Sequence, residues 1–152
     1  MTQNINTFAP NYEKGQLVND AMASTVPCQI DPASTSTIAA GTAVKIIDKA
    51  GASLPVVEKA AATDEVFGFV RYNAKANNYK AGGIVDVASF GQEMYMEASA
   101  AVNGGALVEI VAADDTVITS SGTNKIVGIN LLKVASGELA RVLIQAPKVN
   151  QV

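Results

Sequence analysis

The chain has 152 residues, 49% of them hydrophobic, and its 11 basic and 14 acidic residues leave a net charge of −3. This length and apolar content exclude a disordered protein and suffice for the core of one domain. The sequence contains no histidine, which excludes Ser-His-Asp and Cys-His catalysis and nearly every catalytic zinc site. We therefore predict that the protein is not an enzyme and that it holds no metal and no cofactor.

Lysine and arginine form no basic stripe along the sequence, so we expect no binding to nucleic acid, which depends on neutralising phosphates. No apolar run approaches the roughly 18 residues that a membrane span needs. The first residues lack the basic and apolar regions of a signal peptide, so we expect synthesis in a cytoplasm and no membrane association. The only cysteine is Cys28, which we expect to be a small buried core residue rather than a nucleophile.

The first 26 residues are polar and mixed, with no period of 2 or 3.6. They predict an extended N-terminal arm, residues 1–26, that is ordered only where it docks; a frayed terminus is the alternative. From residue 27 onward, short apolar runs alternate with turn residues, which predicts a single β domain over residues 27–147 and a short C-terminal tail, 148–152. The predicted strands are 28–31, 42–48, 54–58, 66–72, 84–89, 92–97, 107–111, 116–119, 126–134 and 139–145.

Short strands with frequent turns, and no long segment with a 3.6 period, predict an all-β fold. A compact β-barrel or sandwich fits this pattern, with short helical turns possible near residues 60–62 and 99–102 because alanine favours helix. The 25 alanines, 18 valines and 12 glycines are typical of a tight, thin β core. Phe90 and Gly91 separate two of the strands, so we expect residues 84–97 to form a hairpin.

An internal repeat organises the strands. Each half of the chain has a glycine that opens a valine-rich strand, then a glycine between apolar residues, then a polar turn and a second valine-rich strand. The matching segments are 41–47 with 105–111, 66–70 with 126–129, and 84–87 with 139–144. A glycine inside an apolar strand marks a bulge, a bend or a close backbone approach. The sequence therefore predicts a pseudo-repeated scaffold; chance similarity between valine-rich strands is the alternative.

Two acidic pairs, Asp64 with Glu65 and Asp114 with Asp115, are candidates for catalytic carboxylates or calcium ligands. Neighbouring acids before a strand are more often solvated turn residues, and the two pairs fall at different points of the repeat. We therefore expect turn positions here.

The segment 72–80 is a polar loop with tyrosines among Asn and Lys, a composition that suits a protein interface. An ordinary long hairpin loop is the alternative. The N-terminal arm carries a second group of aromatic and amide side chains. The candidate residues for an interface with a capsid or between subunits are Phe8, Asn11, Tyr12, Tyr72, Asn77, Asn78 and Tyr79.

The ordered motifs over residues 38–144 resemble the structural cement, or head-decoration, proteins of tailed bacteriophages. The segments that carry the resemblance are AGTAVKI, EVFGFV, GGIVDVA, MEASAAVNGGALVEI, KIVGINL and GELARVLI. They are strand-and-turn patterns, so their order carries the likeness. The resemblance brings no catalytic residues.

The resemblance implies a capsid decoration protein that binds the outer surface of an assembled phage head. It would bridge neighbouring subunits of the major capsid protein as a dimer or trimer, and residues 2–24 would match the arm by position. Another structural β-module of the virion, such as a head fibre, a tail or a baseplate domain, is the alternative. A carbohydrate-binding or adhesin domain is less consistent with a chain that has no tryptophan and four tyrosines.

Overall fold

The computed structural model describes residues 12–19, 24–75 and 78–149, which form β-strands and no helix. The predicted all-β class is confirmed. Within the described residues there is also no helix that could cross a membrane. The strands are β1 (Thr25–Ile30), β2 (Ile38–Ala39), β3 (Ala43–Ile47), β4 (Val56–Lys59), β5 (Gly68–Val70), β6 (Asn78–Tyr79), β7 (Ile84–Ala88), β8 (Glu93–Glu97), β9 (Leu107–Val111), β10 (Thr116–Thr119), β11 (Lys125–Asn130) and β12 (Leu139–Val149).

The first half of the chain forms a closed five-stranded barrel in the order β1-β4-β3-β5-β7. β1 and β4 run parallel, and the other neighbours are antiparallel. Its interior is filled by small, mostly β-branched side chains, which fit inside a barrel this narrow. They are Cys28, Ile30, Ile38, Val44, Val57, Val70, Val85 and Val87.

The second half repeats this arrangement with the order β10-β9-β11-β12-β8. Ala98, just after β8, forms a parallel bridge with Val117 of β10. This bridge brings the two outer strands of the sheet together at the place where β1 and β4 pair in the first barrel. The second sheet therefore curls into a second barrel with the same topology.

The two barrels agree residue by residue. Val44 lies opposite Gly68 in the first barrel, and Val108 lies opposite Gly128 in the second. The amide of Gly41 donates to the carbonyl of Val70 at 2.7 Å, and the equivalent bond, from Gly105 to Asn130, is also 2.7 Å. The predicted pseudo-repeat is therefore present in the strand register, and chance similarity does not explain it.

Gly68 and Gly128 occupy equivalent positions where two backbones approach closely. A Cβ atom at Gly68 would collide with the carbonyl oxygen of Ala88, and one at Gly128 would lie 2.6 Å from that of Leu143. Only glycine leaves enough room for these strand pairs to close. The close approach predicted for the central glycine of each repeat is thus observed in both barrels.

The predicted hairpin over residues 84–97 is wrong. β7 pairs with β1 and β5 of the first barrel, whereas β8 pairs with β12 of the second. The turn at Phe90 and Gly91 therefore joins two barrels, because each strand finds its partner within its own repeat. Sequence analysis also missed the two-residue strands β2 and β6, which pair with each other.

The ends of the domain differ slightly from the predicted bounds. β1 begins at Thr25, inside the predicted arm, because it pairs with Ala88 of β7. β12 continues through Val149, inside the predicted tail, because Val149 pairs with Lys125 of β11. No helix forms over 60–62 or 99–102, where the described backbone forms turns, bends and isolated bridges.

The outer face of the first barrel packs on the end of the second. Ala43, Phe69 and Ala88 lie side by side on β3, β5 and β7, and all three belong to the same apolar cluster as the interior of the second barrel. Phe69 is only 1% exposed. Together with Ala43 it lines a small cavity against Ile110 of β9, so the two barrels share one continuous core.

The acidic pairs predicted as turn residues form contacts between and within the barrels. Lys59 of the first barrel lies 2.9 Å from Asp115 of the second, and Lys125 lies 3.7 Å from Glu65. The Asp64 carboxylate accepts a backbone hydrogen bond from Ala61 and lies 2.9 Å from the Lys45 ammonium. Both contacts lower the pKa of Asp64.

Replacing Gly68 or Gly128 with alanine tests the close approach. Because the added methyl group meets backbone atoms that cannot rotate away, we expect each variant to lose about 1 to 3 kcal/mol of unfolding free energy in denaturant titrations. Gly104→Ala is the control, since its Cβ would lie 3.4 Å from the nearest heavy atom, an ordinary contact. Equal stability of all three variants would contradict the proposed packing.

Candidate functional site

An N-terminal segment, residues 12–19, lies along the edge of β8 that does not pair with β12. The amide of Gly15 donates to the carbonyl of Tyr95 at 2.8 Å, the amide of Tyr95 donates to Gln16 at 2.9 Å, and the amide of Val18 donates to Glu93 at 3.0 Å. Leu17 is buried in the shared core. This part of the predicted arm is therefore docked as an additional strand-like edge.

The same segment is held by the first barrel. The amide of Tyr72 donates to the carbonyl of Gly15 at 2.8 Å. A Cβ atom at Gly15 would lie 2.5 Å from the Gly41 nitrogen and 3.0 Å from the Val70 oxygen. Gly15 also has a φ of +82°, which side chains other than glycine rarely adopt. The backbone of Gly15 thus contacts both barrels, and this contact is named here the clamp.

Tyr12 begins this segment by stacking on Tyr95 of β8. Their ring centroids are 4.1 Å apart with an angle of 22° between the planes. Burial, followed by the hydrogen bond between the Tyr95 and Tyr12 hydroxyls, raises the pKa of Tyr95. Arg141 lies beside the pair and contacts the Glu93 carboxylate at 2.6 Å, which raises the pKa of the guanidinium. The Tyr95 hydroxyl therefore stays neutral at physiological pH.

The loop that follows β5 is longer than its counterpart in the second barrel. The chain takes 17 residues from Val70 to Val87 but 12 from Asn130 to Val142, although the two pairs occupy the same register. In the second barrel the buried Asn130 side chain holds the short loop by donating to backbone carbonyls, including that of Asn103 at 3.1 Å. The first barrel has the apolar Val70 at this position and carries the additional residues.

Residues 71–74 and Tyr79 of this longer connection, together with Gln16 and Leu17 of the N-terminal segment, line a groove of about 490 Å³ against β7. Ile84 is 55% exposed beside it, and Arg71 and Asp86 supply opposite charges. Burial, and then the nearby Asp86 carboxylate, raise the pKa of Tyr79. The residues that line the groove are Gln16, Leu17, Arg71, Tyr72, Asn73, Ala74, Tyr79, Ile84, Val85 and Asp86.

The structure brings several predicted interface residues to this surface. Tyr72 and Tyr79 line the groove, and Tyr72 also lines a smaller pocket with Asn78. Tyr12 is 43% exposed on the N-terminal segment. Phe8, Asn11 and Asn77 lie outside the described residues.

Sequence analysis did not single out Gly15, Arg71 or Ile84 as parts of a site. Gly15 lies in a segment without periodicity, and Arg71 and Ile84 were assigned only to strands. The length difference between the two repeats was the available signal, because a loop inserted in one repeat marks a surface that the other lacks.

Cys28 and the two acidic pairs, which were the candidates for reactive or metal-binding groups, do not line the groove. Cys28 is buried in the first barrel, as predicted, and burial followed by the Asp86 charge raises the pKa of its thiol to about 11. No three potential metal ligands come together anywhere in the described part of the chain. The groove instead offers tyrosine hydroxyls, a guanidinium, a carboxylate and an exposed isoleucine, which are suited to contact with another protein.

Comparison with known proteins shows a likeness in fold to a solved structure. No protein-family model matches the sequence, and no curated protein matches it. The chain is similar to the crystal structure of the N base of the head fibre gp8.5 of bacteriophage phi29, at 14% identity and a TM-score of 0.56. The superposition covers 86% of this chain and 100% of that chain. The shared fold therefore extends over both barrels.

Replacing Gly15 with alanine tests the clamp. The positive φ costs about 1 to 2 kcal/mol for a residue with a Cβ, and the collision with Gly41 and Val70 adds to it. Gly51→Ala is matched, because Gly51 has a φ of +75° but no atom within 4 Å of its Cβ. We expect Gly15→Ala alone to accelerate hydrogen exchange at the amides of Tyr72 and Tyr95. The same exchange rates in both variants would exclude a clamp.

Proposed function

We propose that this chain is a structural protein of a tailed-bacteriophage virion that attaches to the outer surface of the head. The groove between residues 12–19 and the loop after β5 is the proposed attachment surface. The observation that carries the proposal is the double-barrel fold shared with the N base of a phage head fibre over 86% of this chain. The ordered strand-and-turn motifs support the same class of protein.

Within this class, the base of a head fibre is the better supported role, because the similar structure bears that name. A cement protein is the second candidate, and it rests on the resemblance of the motifs over residues 38–144. In that role the chain would bridge neighbouring subunits of the major capsid protein as a dimer or trimer. Both roles require attachment to the head, and they differ in what attachment does to the shell.

The chemistry of the groove fits a protein partner. Tyrosine combines an apolar ring with a hydroxyl group and is common at protein interfaces. Ile84 adds exposed apolar area to the groove that Tyr79 also lines. Arg71 and Asp86 add one charge of each sign, which can fix the orientation of a partner. A single groove of this size gives modest affinity, and repeated copies on a multivalent shell supply the rest by avidity.

Attachment to the head is tested with purified protein and expanded, undecorated phage heads. We expect the chain to co-sediment with heads, and we expect Ile84→Glu to reduce binding by about tenfold or more, because it places an unpaired charge at the contact. Phe90→Glu is the control, since Phe90 is exposed and lies outside the groove. No binding to any head would contradict the proposal, and equal binding of both variants would exclude the groove.

The two roles are separated by the thermal stability of the decorated head. A cement protein binds only the assembled shell and therefore raises its disruption temperature by linkage. A fibre base leaves that temperature unchanged while cryo-electron microscopy shows discrete density at its attachment positions. A clear rise on saturation would favour cement over a fibre base.

A further inference from the structure

The contact between the two barrels uses two different surfaces. The first is a row of side chains on the outer face of β3, β5 and β7, named here the donor face: Ala43, Phe69 and Ala88. The second is the end of a barrel at the β9–β10 hairpin, named here the acceptor end, where Ile110 and Thr116 are buried. The first barrel supplies the donor face, and the second supplies the acceptor end.

Because the chain is a repeat, each barrel has an equivalent of both surfaces. The register places Leu107, Ile129 and Leu143 on β9, β11 and β12 at the positions of the donor face. Here the row is apolar and partly open to solvent, with Leu107 41% exposed. Each of the three is a large aliphatic residue, so the row is a continuous apolar strip across three strands.

The glycines that precede β3 and β9 show a second difference in what covers the two barrels. A Cβ atom at Gly41 in the first barrel would lie 2.6 Å from the Lys14 side chain, and the Gly15 backbone lies close by. The equivalent Gly105 has the same positive φ but no atom within 4 Å of its Cβ. Residues 14 and 15 thus cover the start of β3, whereas the equivalent position before β9 is uncovered in the described structure.

The acceptor end of the first barrel is also uncovered. Ile46 occupies the position of Ile110. Ile46 is 50% exposed, whereas Ile110 is 4% exposed. Ile46 lines an open cavity of about 630 Å³ with Ile47, Leu54 and other residues of the β3–β4 hairpin. The longer hairpin loop of the first barrel forms the rim of this cavity.

We propose that the free donor face of the second barrel docks on the free acceptor end of the first barrel in another copy of this chain. The contact repeats, between molecules, the packing that the two barrels make within one molecule. It is heterologous, because two different patches meet, so successive copies form a closed ring or an open row. These two surfaces would also mediate the self-association in the proposed function, although they are inferred from the repeat alone.

A complementation experiment tests this arrangement. Leu107→Glu removes the donor face and keeps the acceptor end, whereas Ile46→Glu does the opposite, and both residues are exposed enough to accept a carboxylate without unfolding. In sedimentation equilibrium, we expect the wild type to form multimers and each variant alone to associate about tenfold or more weakly. An equimolar mixture of the two variants forms heterodimers, because each supplies the surface that the other lacks. Heterodimers exclude a symmetric contact.

Cross-linking gives a second readout that does not depend on affinity. Ala43 and Ile110 line one cavity within the chain, so their equivalents, Leu107 and Ile46, should meet between copies. With both residues changed to cysteine, mild oxidation should yield a ladder of multimers or a closed ring, while Leu107→Cys or Ile46→Cys alone should not cross-link. Cys28 is buried and does not compete.

Several results would overturn the inference. They are a wild type that remains monomeric at every concentration, cross-links between two copies of Leu107→Cys, or a mixture of the glutamate variants that fails to associate. Ile84→Glu separates this inference from the attachment proposal, because Ile84 lies outside both surfaces: self-association should persist while head binding falls. If Ile84→Glu lost head binding while the wild type was monomeric, the attachment proposal would be supported and the self-association inference would be contradicted.

Discussion

The packing of Phe69 against the open end of the second barrel holds the molecule together. An uncovered barrel end leaves apolar atoms in contact with water, as Ile46 shows at the β3–β4 hairpin of the first barrel, where it is 50% exposed. The first barrel places Ala43, Phe69 and Ala88 over one such end and merges two small cores into one. Burial of apolar surface grows with the size of a core, so neither half has a comparable core alone.

The two repeats differ at interior and at outer positions. Val44 and Val108 are equivalent and identical, as are Val87 and Val142, whereas Asn130 stands at the position of Val70. In the outer row, Ala88 is buried in the shared core, and the equivalent Leu143 is a larger, half-buried side chain. The side chains of both faces have therefore diverged while the strand register remains the same.

Much of the fold was predictable from the sequence, because alternation and turn residues are local signals. The ten predicted strands and the repeat depend on such signals. The two-residue strands β2 and β6 are too short to carry a period, and the partner of β7 is not encoded in the turn that follows it. A turn at Phe90 and Gly91 looks the same whether it closes a hairpin or connects two barrels.

The site was only partly predictable for a related reason. Tyrosines in a polar loop indicated a contact surface, and Tyr72 and Tyr79 do line the groove. Docking of residues 12–19 depends on Gly15 fitting between Gly41 and Val70, a relation that exists only after both barrels have formed. A contact between distant parts of the chain produces no periodic pattern in the sequence. The longer loop after β5, in contrast, is visible once the sequences of the two repeats are aligned.

The differences between the two repeats also separate the groove from the surfaces proposed for self-association. In the described part of the chain, the groove lies beside the first barrel, where residues 12–19 meet a loop that is longer than its counterpart in the second barrel. The internal contact occupies one donor face and one acceptor end, and the unused pair lies on other parts of the chain. Self-association through that pair leaves each groove open, so an assembly would present one groove per copy at fixed spacing. Under the proposed attachment, this spacing would match a repeating surface without the entropy cost of a flexible linker, and a modest affinity per groove would then suffice.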